Sequence, residues 1–299
     1  MNIAITGASG LIGRRLIQAL SQGGHSITVF SRHAGTNLPP GVKLAVWDPV
    51  QGPPPAGSLT DIDAIINLAG APVAQRWSAR VKQDIVESRV AGTRNLVQGM
   101  AQQSRKPQVL ICASAVGYYG SRGDETLAES ASAGSDFLAE VCVAWEREAQ
   151  AAESLGIRVV RVRIGLVLDA RGGALAKMLP PFKMGVGGKL GDGKHWMSWI
   201  HLDDLVRMIQ FALVSPVSGA INGVSPQPVT NADFTRALAA SVHRPAIFPV
   251  PAFALKLLFG EMGGILVASQ RVVPQAAEKA GFQFRFPELK GALADVLKG

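Results

Sequence analysis

Three glycines spaced three apart, Gly7, Gly10 and Gly13, stand between an apolar run, Ile3-Ala4-Ile5-Thr6, and a stretch with helical periodicity. In such a loop the first glycine lets the chain turn sharply, the second lets an anion approach bare backbone, and the third lets a helix pack tightly on a strand. Free N–H groups and the helix dipole then face a pyrophosphate, and Leu11 and Ile12 lie inside the same cradle. Nineteen residues after Gly13 stands Arg32, preceded by Ser31 and with no Asp or Glu nearby. An acid at that point would suit a ribose 2′-hydroxyl, whereas a guanidinium suits a 2′-phosphate, so the residues favour NADP over NAD. The bland alternative for Arg32 is a solvated residue after a strand.

These groups need elements to hold them. Leu16, Ile17 and Leu20 recur at helical spacing, Gly23-Gly24 stops the helix, and Ser26 to Ser31 reads as a second strand. Lys43 to Trp47 predicts a third strand, and Pro53-Pro54-Pro55 between Gly52 and Gly57 an irregular connection. Ala64 to Gly70 predicts a buried strand ending in a small-residue turn, and Ser78 to Gln102 a helix. Val109 to Ser114 and Val159 to Leu168 predict further strands, the second with Arg161 and Arg163 between apolar neighbours. Continuous β-branched runs separated by helices predict a parallel sheet covered on both faces, an α/β Rossmann-type doubly wound architecture. Residues 1–170, with 205–225 returning to the sheet, should form the nucleotide-binding domain; 171–204 and 226–299 should form a smaller substrate-side domain.

The chain has 299 residues, of which 47% are hydrophobic and 17% charged, enough to bury a large core and too few charges for disorder. Its net charge of +8 is scattered in nothing longer than pairs such as Arg14-Arg15, and aromatics are only 6%, so nucleic acid is not an expected partner. Cys112 and Cys142 lie in apolar segments and read as reduced core residues, with no metal site. Phe253 to Val267 is interrupted by Lys256, Glu261 and glycines and is too broken to span a bilayer. No membrane partner, no secretory leader and a cytoplasmic location are the resulting expectations.

Taken in order, Thr6 to Gly13, Asn67-Leu68-Ala69-Gly70, Ser114 with Val116-Gly117-Tyr118-Tyr119-Gly120, and Trp199-Ile200-His201-Leu202-Asp203-Asp204 resemble the extended, epimerase-like branch of the short-chain dehydrogenase/reductase superfamily. Ser31-Arg32, Arg76-Trp77, Ser88-Arg89, Met178 to Phe182 and Gly281-Phe282 are similar to an atypical group of that branch, the epimerase-family proteins. The resemblance implies that Gly7 to Gly13 hold the pyrophosphate and that Ser31 and Arg32 hold the 2′-phosphate. It implies that Leu68, Ala69 and Gly70 floor the site and that Asp84, Arg89 and Val167 add contacts. Surface exposure, or core packing for Val167, is the competing account.

One departure matters. The superfamily's chemistry rests on a Tyr-x-x-x-Lys pair about one helix after the serine, where the lysine lowers the phenol pKa. Here that stretch reads Asp136-Phe137-Leu138-Ala139-Glu140-Val141-Cys142, and the chain's only tyrosines are Tyr118 and Tyr119. The candidate proton donors are therefore Ser114, Tyr118, Tyr119 and His201. Each has a structural alternative: Ser114 bonded to backbone or cofactor, a tyrosine packed as an aromatic, His201 orienting the Asp203-Asp204 helix start. Two functions remain open: an NADP(H)-dependent oxidoreductase or epimerase acting on a small substrate such as a sugar nucleotide, or a non-catalytic NADPH-binding redox sensor.

Overall fold

The computed structural model describes residues 1–35 and 38–298. In chain order its elements are β1 (Asn2–Thr6), α1 (Leu11–Gln22), β2 (Ser26–Ser31), β3 (Lys43–Val46), β4 (Ala64–Asn67), α2 (Ala79–Ala101) and β5 (Val109–Ala115). There follow β6 (Thr126–Leu127), α3 (Phe137–Gln150), β7 (Arg158–Ile164), β8 (Leu166–Leu168), α4 (Gly173–Lys183), β9 (Trp196–Met197) and β10 (Trp199–His201). The chain continues through α5 (Leu202–Val214), β11 (Gly219–Gly223), β12 (Val229–Thr230), α6 (Asn231–Ser241), α7 (Ala252–Phe259), α8 (Met262–Ile265), β13 (Arg271–Val272), α9 (Gln275–Lys279) and α10 (Leu289–Val296).

Seven strands form one sheet in the order β11-β7-β5-β4-β1-β2-β3, every neighbouring pair parallel. The order reverses between β1 and β4, so the glycine loop after β1 opens at the crevice where a doubly wound sheet receives its ligand. Periodicity explains the layers. Leu16, Ile17 and Leu20 on α1 join Leu205, Met208 and Ile209 of α5 against Ile3, Ile5, Ile66 and Ile111 on one face. On the other face Leu96 and Met100 of α2 and Trp145 and Ala149 of α3 cover Ala4, Ile65 and Leu110. Each such fully buried aliphatic side chain stabilises by roughly 1.5–3 kcal/mol.

Helix starts follow local chemistry. Ser78 caps α2 by accepting from the Val81 N–H at 3.3 Å, and Asp136 caps α3 by accepting from Ala139 at 3.0 Å. The run Val159 to Leu168 is corrected from one strand to two. At Gly165 the chain leaves the main sheet, and only glycine fits there, since a Cβ would lie 2.5 Å from the Ser198 carbonyl oxygen and 2.8 Å from Val224. β8 then pairs with β10 instead.

The C-terminal residues are bonded into this frame. β13 pairs with β6, the Val273 carbonyl accepts from Asn222 Nδ2 at 2.9 Å, and the Asp204 carboxylate, fully buried, accepts from the N–H groups of Arg285 and Phe286 at 2.9 and 2.8 Å. A third apolar cluster joins Leu175 and Leu179 of α4, Phe234 and Leu238 of α6 and Leu293 of α10. No helix among the described residues is long and apolar enough to cross a membrane.

Candidate functional site

The loop between β1 and α1 leaves no room for side chains. Gly7 has φ +70°, and a Cβ on it would sit 2.6 Å from the Leu68 carbonyl carbon and oxygen. A Cβ on Gly13 would sit 2.4 Å from the Gly7 oxygen and 2.7 Å from the Ala8 Cα. The Gly10 N–H donates to Gly7 O at 3.1 Å, and Gly10 begins α1 with no side-chain cap and no acidic residue in the first turn. The positive end of the helix dipole is therefore left to an incoming anion. These residues open onto a cavity of about 340 Å³, lined by Gly7, Gly10, Leu11, Ile12, Gly13 and Leu68 on one side and by Gly165, Leu166, Val167, Gly173 and Ala174 on the other.

The β4 turn completes the floor. Thr6 Oγ1 accepts from the N–H groups of Leu68 and Ala69, both at 3.1 Å, and donates to Asn67 Oδ1 at 2.6 Å, so the two strand ends are locked side by side. Gly70 is exposed just beyond. β2 runs in register with β1, Phe30 opposite Thr6, which sets Ser31 and the exposed Arg32 at the same sheet edge as the glycines. Ser31 Oγ accepts from the His33 N–H at 3.2 Å.

Asp84 and Arg89, like Ser31, Arg32, Ala69 and Gly70, are not among the residues lining this cavity. Asp84 pairs along α2 with Arg80 at 3.0 Å. Arg89 donates to the carbonyls of Ile85 and Ala71 at 3.2 and 3.1 Å, beneath the Gly70 turn, and burial lowers its pKa. It supports the turn from below.

Beside the cavity, at the carboxyl ends of β5 and β7, lies a buried polar cluster. Ser114, 3% exposed, donates from Oγ to Glu146 Oε1 at 2.7 Å. Arg163 grips the same carboxylate with two bonds, Nε to Oε1 at 2.8 Å and Nη2 to Oε2 at 2.9 Å, and Arg161 lies 3.5 Å away. Arg163 Nη1 donates to the Tyr119 hydroxyl at 2.9 Å, which donates to Asn222 Oδ1 at 2.7 Å. Burial alone would lower the Arg163 pKa, but its bonds to Glu146 outweigh it and raise the value.

This geometry sorts the candidate proton donors. Tyr119 is fully buried with its hydroxyl engaged on both sides, and burial raises its pKa, an arrangement that matches its structural alternative as a packed aromatic. His201 likewise matches its structural alternative at the Asp203-Asp204 helix start. Its Nδ1 caps α5 by accepting from the Asp203 N–H at 3.0 Å, its ring stacks on Phe286 at 4.0 Å, and Nε2 lies 3.3 Å from Asp295. Tyr118 differs: it is half-buried, with the Arg163 guanidinium 3.4 Å above its ring centroid. Arg163 thus touches both the Tyr118 ring and the carboxylate that holds Ser114. On α3, where the resemblance leads one to look for tyrosine and lysine, the chain presents apolar residues; Cys142 is buried, its thiol pushed up to about 11 by desolvation.

Sequence reasoning missed Glu146, Glu129 and Asn222. Glu129 accepts from the Asn222 N–H at 2.9 Å and from the Ala276 N–H at 3.1 Å. The available signal for Glu146 was its place on the apolar stripe of α3, with Cys142, Trp145 and Ala149.

Comparison with known proteins now bears on this site. The model of the NAD dependent epimerase/dehydratase family matches residues 3–224, and a domain of unknown function (DUF1731) matches residues 250–296. An epimerase family protein of Mycobacterium tuberculosis, MT2273, is 43% identical over 295 residues, covering 97% of this chain and 96% of that protein. Human epimerase family protein SDR39U1, solved with NADPH, superposes with a TM-score of 0.87 at 31% identity, covering 99% of each chain. A nucleoside-diphosphate sugar epimerase from Corynebacterium glutamicum superposes with a TM-score of 0.80 at 38% identity, covering 99% of this chain and 58% of the other.

Proposed function

Because this chain belongs to the NAD dependent epimerase/dehydratase family, we propose that it is an NADP(H)-dependent oxidoreductase or epimerase acting on a small carbonyl or hydroxyl compound, a sugar nucleotide among the candidates. The observation that carries the reading is the glycine cradle: at Gly7 and Gly13 backbone occupies the place of a side chain, and the cavity they line ends at an uncapped helix N-terminus. These residues fit a dinucleotide pyrophosphate. Arg32 and Ser31 would hold the 2′-phosphate, and Leu68 and Val167 would line the cavity walls. NADPH at this site would supply a hydride from its nicotinamide ring. The human relative solved with NADPH supports the choice of cofactor.

For the protein's own part, Ser114 and Tyr118 are the proton-handling groups. Ser114 directs its hydrogen to Glu146. Tyr118 is held under the Arg163 guanidinium and is only half-buried. Both cysteines are free thiols, which supports a cytoplasmic setting.

Calorimetric titration with NADPH and NADH tests the cofactor reading. Arg32→Glu should weaken NADPH by roughly ten- to a hundredfold and leave NADH unchanged; equal effects on both would refute the 2′-phosphate role. Nicotinamide absorbance with a panel of sugar nucleotides and small carbonyl compounds tests turnover, which Tyr118→Phe and Ser114→Ala should each depress. The second reading, a non-catalytic NADPH-dependent sensor, is favoured by the missing tyrosine and lysine on α3. It predicts tight NADPH binding with no turnover across the panel.

A further inference from the structure

Much of the exposed apolar surface of this protein is gathered away from the dinucleotide cavity, on two bonded segments, 183–190 and 243–258. Met184 and Val186 on the first, and Ile247, Phe248, Phe253, Leu257 and Leu258 on the second, each leave more than half of their surface in solvent. Elsewhere among the described residues only Val214 is a large hydrophobic exposed to that degree. The segments are tied together: Arg244 Nε donates to the Lys183 carbonyl at 3.2 Å, Phe248 N–H to Gly187 O at 3.4 Å and Val250 N–H to Lys189 O at 2.9 Å. The chain then enters α7 at once. Leu255 is its inward side chain, 3% exposed, and at 3.6 residues per turn Phe253 and Leu257 lie on the opposite side.

Charge decides what this surface fits. The same two segments hold four exposed cations, Lys183, Lys189, Arg244 and Lys256, and no acidic residue. None of the four is ion-paired to a carboxylate among the described residues. A second copy meeting this face across a twofold axis would set cations against cations. Apolar tips that project from a helix and its preceding segment, with cations and no carboxylate on those same segments, match the boundary between anionic headgroups and acyl chains; the nearby acids are Asp192, whose carbonyl accepts from Lys189, and Glu261, paired with Lys82.

We propose that the α7 face docks on an anionic lipid surface, with Phe253, Leu257 and the neighbouring apolar side chains inserted below the phosphates and the lysines and arginine at their level. At eight residues α7 is far too short to span a bilayer, so the contact is interfacial. This revises the expectation of no membrane partner, which hydropathy had addressed only for spanning. It is independent of the cofactor assignment.

Co-sedimentation with phosphatidylcholine vesicles, with and without phosphatidylglycerol, tests the proposal. The full chain should partition onto the anionic vesicles, less so in high salt, and not onto phosphatidylcholine alone. The double variant Phe253→Ser/Leu257→Ser should lose roughly tenfold or more of that partitioning while keeping its melting temperature and NADPH titration. Lys183→Glu/Lys256→Glu should weaken it comparably. Absence of partitioning, or sedimentation unchanged in the variants, overturns the proposal. So does light scattering that shows self-association lost in the serine variant, or capture by polyglutamate with no vesicle binding, which would assign the face to a second copy or to an acidic polypeptide.

Discussion

Replacing Glu146 by alanine should be among the most damaging single changes in the α3 helix. The carboxylate accepts three bonds, one from Ser114 and two from Arg163, at 2.7–2.9 Å, and it and Arg163 are 4% and 3% exposed. Glu146→Ala would leave the guanidinium with only Arg163 Nη1 bonded, to Tyr119 and the Glu129 carbonyl. Breaking a buried pair from one side costs about 3–5 kcal/mol, because the remaining charge stays desolvated. At roughly 2.1 cal/mol/K per residue of unfolding entropy, a chain of this length should lose about 5–8 °C in melting temperature. The companion variant Arg163→Met/Glu146→Leu removes both charges and should recover most of the loss, since apolar replacement of a whole buried pair is often neutral. Because the pair is shielded, the Glu146→Ala penalty should change little between low and high salt. A shift under about 1 °C, or a double variant as unstable as the single one, would refute the claim that the loss comes from leaving Arg163 buried without its partner.

Gly13→Ala places a Cβ 2.4 Å from the Gly7 carbonyl oxygen, so the loop must open; NADPH affinity should fall by roughly a hundredfold or more, on the order of 2.7 kcal/mol by calorimetry. Burial holds the His195 and His201 imidazoles below the usual value of 6.5, the latter against the pull of Asp203, Asp295 and Asp204. Both rings bind a proton more readily unfolded than folded, so the stabilisation from their neutral form is present above pH 6.5 and is lost as pH falls through their lower folded values. Melting temperature measured from about pH 7 down to about pH 5 should therefore decline, and His195→Gln should flatten the curve; an unchanged slope in that variant would sink this account.

Local signals carried the nucleotide half of the fold. Gly7 to Gly13 were legible because each glycine answers a demand made within a few residues, and the strands from Asn2 to Ala115 because continuous β-branched runs mean burial on both faces. What stayed hidden depends on distant neighbours. Glycine is required at 165 because Ser198 and Val224 press on it from more than thirty residues away. Glu146 acquires its role only because Arg163 and Ser114 converge on it, and the cap that His201 gives α5 was legible locally whereas its cover by Phe286 and Asp295 was not. A hydropathy average over 253–267 registered that the segment cannot span a bilayer, but not that Phe253 and Leu257 face outward while Leu255 faces in.

The embedding of residues 271–287 in the nucleotide-binding frame bears on how such proteins diversify. A crossover near residue 250, where the two matching family models nearly meet, would bring in a tail from a relative. The amides that the sealed Asp204 carboxylate requires, and the carbonyl that Asn222 requires, would then have to come from that foreign tail. Shuffling at that seam is therefore penalised unless both sides already share those pairings.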